Sequence, residues 1–219
     1  RKEIPFTFWA MMAGTLAITG VGIYDLHLGF AGFWSKDAII EVAFARGTEA
    51  ASFAFWMGVF AALLTSFYSW RLVFLTFFGT TRWIDSGHIR HAVHGQHESP
   101  DEEHGDAAQG EVHLHEGTGG YHPHESPLTM LIPLALLSLG AIAAGQLFAP
   151  AFLDSAAFWD GSVFYNEALI HAMHGVPWLV KYGAFIVMVL GFAIAWYGYI
   201  RNTRFPGQAA EQLGPVYRF

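Results

Sequence analysis

Apolar residues run along this chain in long blocks. One fills 5–24 as PFTFWAMMAGTLAITGVGIY, long enough to enter a bilayer of ~30 Å at 1.5 Å per residue. It would continue unbroken to Arg46 but for Gly20, Gly22, Asp25, His27, Gly29 and Gly32. Residues 5–46 therefore form either a hairpin of two crossings or one crossing whose helix is interrupted midway. Further apolar blocks lie at 51–79, 127–149 and 178–200. Arginine and lysine placement favours the single broken crossing, because it puts Arg1, Lys2, Arg82, Arg90, Arg201, Arg204 and Arg218 on one side, which reads as cytoplasmic. The expected fold is all-α, a polytopic membrane protein with about four crossings, the first discontinuous.

Composition agrees with this. The 219 residues are 53% hydrophobic and 13% charged, about half the charged share of a soluble domain. There is no cysteine, which excludes disulfides, thiolate metal sites and a cysteine nucleophile. A start at Arg1-Lys2-Glu3 without methionine, and an apolar run too long for a signal peptide, point to part of a longer polypeptide. Residues 85–125 hold nine acidic residues and one arginine, so the net charge of −7 belongs to that segment and the remainder carries +1. No basic patch suggests nucleic acid.

Four regions follow. Residues 1–79 hold the broken helix and a second span. Residues 80–126 form an acidic loop, expected to be disordered, with histidines at 88, 91, 94, 97, 104, 113, 115, 122 and 124. Such a tract can bind Zn²⁺ or Ni²⁺, but no fixed tetrahedral set stands out, so it is read as a solvated insertion and no metal site is assigned. Residues 127–204 carry two more spans joined by an interfacial connection, in which Glu167, His171 and His174 share a helical face. That face reads as amphipathic rather than metal-binding. Residues 205–219 look like the start of an element continued elsewhere.

The candidate chemistry sits at Gly32-Phe33-Trp34-Ser35-Lys36-Asp37-Ala38-Ile39-Ile40-Glu41. A lysine or aspartate at membrane depth costs at least ~2.5–3.5 kcal/mol on insertion scales, and so usually faces a protein interior or wet cavity on an ion or proton path. Hydrophobic sequence on both sides argues against Lys36 reaching an interface. Ser35 is a good N-cap, which would place Lys36 and Asp37 in the first turn of a half-helix, with Glu41 one turn beyond Asp37 on the same face. The alternative is that Lys36 and Asp37 only neutralise each other.

The runs GTLAITGVG, GFAGFWSKDAIIE and FWMGVFAALLTSFYSWRLVFLTFFG resemble the large antiporter-like membrane subunit of respiratory complex I, subunit L of the bacterial enzyme and counterpart of mitochondrial subunit 5. The phrase Gly-Phe-x-x-Lys-Asp at 32–37 is the most specific part. The resemblance implies a discontinuous helix whose lysine, matched by Lys36 with Asp37 beside it, ends a chain of buried ionisable groups that moves protons. It implies a translocase subunit with no cofactor and no redox chemistry on this chain, set in the bilayer of a bacterial inner membrane beside a neighbouring antiporter-like subunit. It also implies that 205–219 leads into a lateral helix, and that the partner Glu–Lys pair and a central lysine lie on earlier helices. Where the family often has paired prolines after Gly-Ile, this chain reads Tyr24-Asp25. Two alternatives stand beside it: the large subunit of a multi-subunit Na⁺/H⁺ antiporter, and a divalent-cation transporter suggested by the histidine tract.

Overall fold

A computed structural model describes residues 1–26, 28–79 and 123–212. The histidine tract up to His122 and the extreme C-terminal residues lie outside the described part, and with them the expectations of a disordered loop and of a lateral element beyond 212.

Helix α1 (Pro5–Thr19) starts on a proline, whose missing N–H falls where the helix needs no donor. It stops at Gly20, which adopts the left-handed conformation at φ 80° while Gly20 N–H donates to Ala17 and Val21 N–H to Leu16. Eleven residues then depart from the helix. Two-residue strands β1 (Gly22–Ile23) and β2 (Leu28–Gly29) pair antiparallel, Gly22 opposite Gly29, around a single turn at Tyr24–Leu26. Helix α2 (Ala31–Arg46) resumes from an extended Phe30.

Phe33, 1% exposed, fills the interruption. A side chain on Gly22 or Gly29 would occupy the space of its ring, and one on Gly32 would run into the Ala17 carbonyl. The glycines that interrupt the hydrophobic pattern thus let one aromatic ring and two helix ends meet.

Helix α3 (Glu49–Val73) follows Gly47, which is left-handed at φ 68°, and is capped by the Thr48 side chain accepting from Ala51 N–H. It continues in a wider turn over Phe74–Phe78. Phe8 of α1 packs its ring on Phe77 and Phe78 at the far end of α3, whereas Phe44 of α2 packs on Phe55 near its start. The two half-helices therefore lie end to end along α3 instead of side by side. The same order holds on the opposite flank, where Thr7 meets Glu125 and Trp34 meets Gly145 of α4 (Leu128–Asp154). This is one interrupted passage, not a hairpin.

Short helices α5 (Ala156–Trp159), α6 (Glu167–His174) and α7 (Trp178–Lys181) connect α4 to α8 (Gly183–Trp196), which runs on to Arg201. Helix α9 (Phe205–Gln212) ends the described chain. Helices α3 and α8 approach closely at small residues: Gly191 sits against the Leu63 carbonyl, and fully buried Ser66 donates from Oγ to the Met188 carbonyl at 2.6 Å. Three helical stretches, Glu49–Phe78, Leu128–Asp154 and Gly183–Arg201, are long and apolar enough to cross a membrane, and α1 is a shorter apolar helix. With α1 and α2 as a fourth, discontinuous passage, the fold is an all-α polytopic membrane protein.

One tie holds the α1 end to the segment before α4. Glu125 accepts from Phe6 N–H at 2.6 Å and Thr7 N–H at 3.2 Å, while Thr7 Oγ1 donates to its second oxygen at 2.7 Å. A carboxylate thus serves the amides that a helix start leaves without partners. Desolvation pushes the Glu125 carboxyl up, but the Thr7 hydroxyl and the Thr7 and Phe6 amides outweigh it and hold the group below its ordinary value. The tie is then complete above the ordinary glutamate range and lost as pH falls through the lowered folded value. Protection of the Phe6 and Thr7 amides from exchange, relative to their intrinsic rates, should fall on acidification, and Glu125→Gln should remove that dependence.

Candidate functional site

The expected site residues lie on α2, but not in the expected register. Ser35 is not the N-cap. Helix α2 starts at Ala31, because β2 and Phe30 deliver the chain there already extended, and Ser35 Oγ donates weakly back to the Ala31 carbonyl at 3.4 Å. Lys36 therefore occupies the second turn. Its Nζ crosses the interruption and donates to the Ile18 carbonyl at 2.7 Å. The ammonium sits at the carbonyl end of α1, where the last carbonyls lack helical partners and the helix dipole favours a cation.

Asp37 points elsewhere. Among the described residues, no ion pair within 4.0 Å joins Lys36 to Asp37, although the two remain sequence neighbours. Asp37 and Glu41, 5% and 6% exposed, share one face of α2 as their spacing required, and both reach Tyr24. The Tyr24 oxygen lies 3.0 Å from Asp37 Oδ2 and 2.8 Å from Glu41 Oε1.

A phenol has one hydrogen. It donates to one carboxylate at a time, and the second contact becomes a hydrogen bond when the other carboxyl carries a proton and donates to the phenol oxygen. The three groups therefore admit two hydrogen-bonding arrangements, one with the phenol donating to Asp37 and one with it donating to Glu41. Edge-on packing against Phe33 and Tyr182, with ring centres 4.7 and 5.7 Å away, holds Tyr24 in place. Lys181 Nζ lies 4.9 Å from the ring centre on its face.

Sequence reasoning missed Tyr24, Lys181 and Asp154. The available signal was Tyr24 standing where the resembled family often has proline. Glu167, His171 and His174 do not converge; instead His174 Nε2 faces Asp154 Oδ1 at 3.2 Å. No three His, Cys, Asp or Glu side chains among the described residues gather as a metal site.

The fold and site define a helical membrane protein that buries ionisable groups at an interrupted helix. Its homologues are subunit L and chain 5 of NADH- and NAD(P)H-quinone oxidoreductases and subunit L of an F(420)H(2) dehydrogenase. The chain is 36% identical to NADH-quinone oxidoreductase subunit L of Rhodobacter capsulatus across 100% of this chain and 35% of that protein. It is 33% identical to NAD(P)H-quinone oxidoreductase chain 5 of a Picosynechococcus species, and 30% identical to F(420)H(2) dehydrogenase subunit L of Methanosarcina mazei. These matches cover 100% and 99% of this chain, and 29% of each relative. The chain thus spans about a third of the length of the curated relatives it matches. No family profile matches it.

Proposed function

We propose that this chain is part of a proton-translocating membrane subunit of a complex I-type quinone oxidoreductase, with Lys36, Asp37 and Glu41 carrying protons while redox chemistry proceeds on other subunits. The observation that carries the reading is the pair of buried carboxylates bridged by Tyr24, one helical turn apart on an interrupted helix. Buried acids at membrane depth are costly, and a hydrogen-bonded set that can be protonated in two ways is suited to handing protons on.

The relatives are named for different electron donors, NADH, NAD(P)H and F(420)H(2), yet all match this same stretch. Such a pattern supports a shared ion-moving role and a donor chosen elsewhere. The partners on this reading are the other membrane subunits of the complex, above all a neighbouring antiporter-like subunit, and the location is a bacterial inner membrane. A divalent-cation carrier would need converging His and carboxylate ligands at membrane depth, and the described residues offer no such set.

Asp37→Asn tests the reading in inverted membrane vesicles. Proton uptake per quinone reduced should fall while the complex still assembles on native gels. Unchanged stoichiometry in an assembled Asp37→Asn complex would reject proton transfer at this site. Uptake driven by a sodium gradient without quinone reduction would favour the antiporter instead.

A further inference from the structure

A cavity of about 340 Å³ lies between α2, α4, α6 and α7. Tyr24 and the buried Asp37 and Glu41 line it, as do Asp154, His174 and Lys181. His174 and Asp154 belong to both the cavity and the outer surface, with side chains 57% and 51% exposed. Polar groups therefore continue from the buried carboxylates to solvent on the side of the molecule that bears α5, α6 and α7. The space is large enough for several waters, and it has the polar partners that waters need.

We infer that this cavity is the aqueous mouth of the Asp37–Tyr24–Glu41 site, and that His174, held by Asp154, is its outer proton-exchange group. The inference rests on the reading of Asp37 and Glu41 as proton carriers. A proton leaving the Glu41 carboxyl makes it a carboxylate and crosses the cavity on water. It joins a ring nitrogen of neutral His174 to give imidazolium, which returns a proton to bulk; the reverse sequence loads the site. Only O–H and N–H bonds form and break. Asp154 faces the imidazole 3.2 Å away and steadies its charged form, so the ring can take up a proton without leaving the rim. Lys181, over the Tyr24 ring and also lining the cavity, supplies the positive charge that keeps an ionised Glu41 from standing alone there.

The geometry also dictates sidedness. The mouth opens at the end of α4 that carries Asp154, opposite the end tied to α1 through Glu125. Met173 reports on it, being 3% exposed yet lining the cavity. Because the chain has no cysteine, Met173→Cys introduces its sole thiol.

The experiment uses the whole membrane complex in vesicles sorted by orientation, with the Met173 parent complex labelled in parallel as the background from thiols elsewhere. Met173→Cys is treated with a charged, membrane-impermeant methanethiosulfonate, and His174→Ala is assayed for proton uptake with and without added imidazole. The expected result is modification of Met173→Cys only from the α6 side. With it goes a loss of uptake in His174→Ala of about a hundredfold, the lower end of what general acid–base groups contribute, restored by imidazole. Three outcomes overturn the inference: Met173→Cys inert from the α6 side, uptake at the full rate in His174→Ala, or a loss that imidazole does not restore. None of these touches the Asp37→Asn result, so the mouth can fail while proton transfer at α2 stands. Normal pumping by Asp37→Asn would instead remove the site that the mouth serves.

Discussion

Lys36→Ala is expected to abolish proton uptake in an assembled complex. The side chain has two jobs in the fold. Its ammonium satisfies the Ile18 carbonyl at 2.7 Å across the helix interruption, and it is the cation nearest in sequence to Asp37. Alanine removes both, and it leaves the Ile18 carbonyl at the end of α1 without its donor. Lys36→Arg separates the roles. A guanidinium keeps the charge and can still donate to a helix-end carbonyl, but with a pKa above ~12 it does not release a proton in the working range. If Lys36 carries protons, both variants lose uptake, measured as protons taken into inverted vesicles per quinone reduced. If it only braces the interruption, arginine restores uptake. Native gels separate failure to assemble from failure to pump. Near-normal uptake by assembled Lys36→Ala would remove Lys36 from the proton path.

The interruption itself was legible because its cause is local. Gly20, Gly22, Gly29 and Gly32 stand out in an apolar run, and each allows a close approach or a left-handed turn that a side chain would forbid or strain. Arginine placement was also enough to choose one broken passage over a hairpin, and the rings of Phe8 and Phe44 at opposite ends of α3 bear that choice out. The start of α2 was not legible. Serine before an apolar periodic stretch signals a cap, yet Phe33 wedged between Gly22 and Gly29 fixes the helix start five residues earlier, and a serine inside a helix can bond back to its own backbone. Long-range partners left even less trace. Nothing in the spacing of Glu167, His171 and His174 says that only the last of them turns to Asp154, twenty residues upstream. Tyr24 lies in the same category, since its importance arises from two carboxylates 13 and 17 positions further on that converge only when α2 folds back over the turn.

Tyr24→Phe is expected to reduce proton uptake by about a hundredfold, the lower end of what positioned acid–base groups contribute. The substitution is conservative everywhere except at the oxygen. The ring keeps its edge contacts with Phe33 and Tyr182 and its place under Lys181, so the packing of the interruption survives. What disappears is the atom 3.0 Å from Asp37 and 2.8 Å from Glu41. Two carboxylates one helical turn apart then face each other across an apolar ring with no hydroxyl between them, and a proton on one loses its short route to the other. A structural role would show as poor assembly with normal uptake per assembled complex. A relay role predicts good assembly, low uptake, and altered carboxyl stretching bands in the infrared difference spectrum recorded on quinone reduction. Full uptake with those bands unchanged would mean that Asp37 and Glu41 exchange protons through cavity water alone and that the phenol only holds their side chains in place.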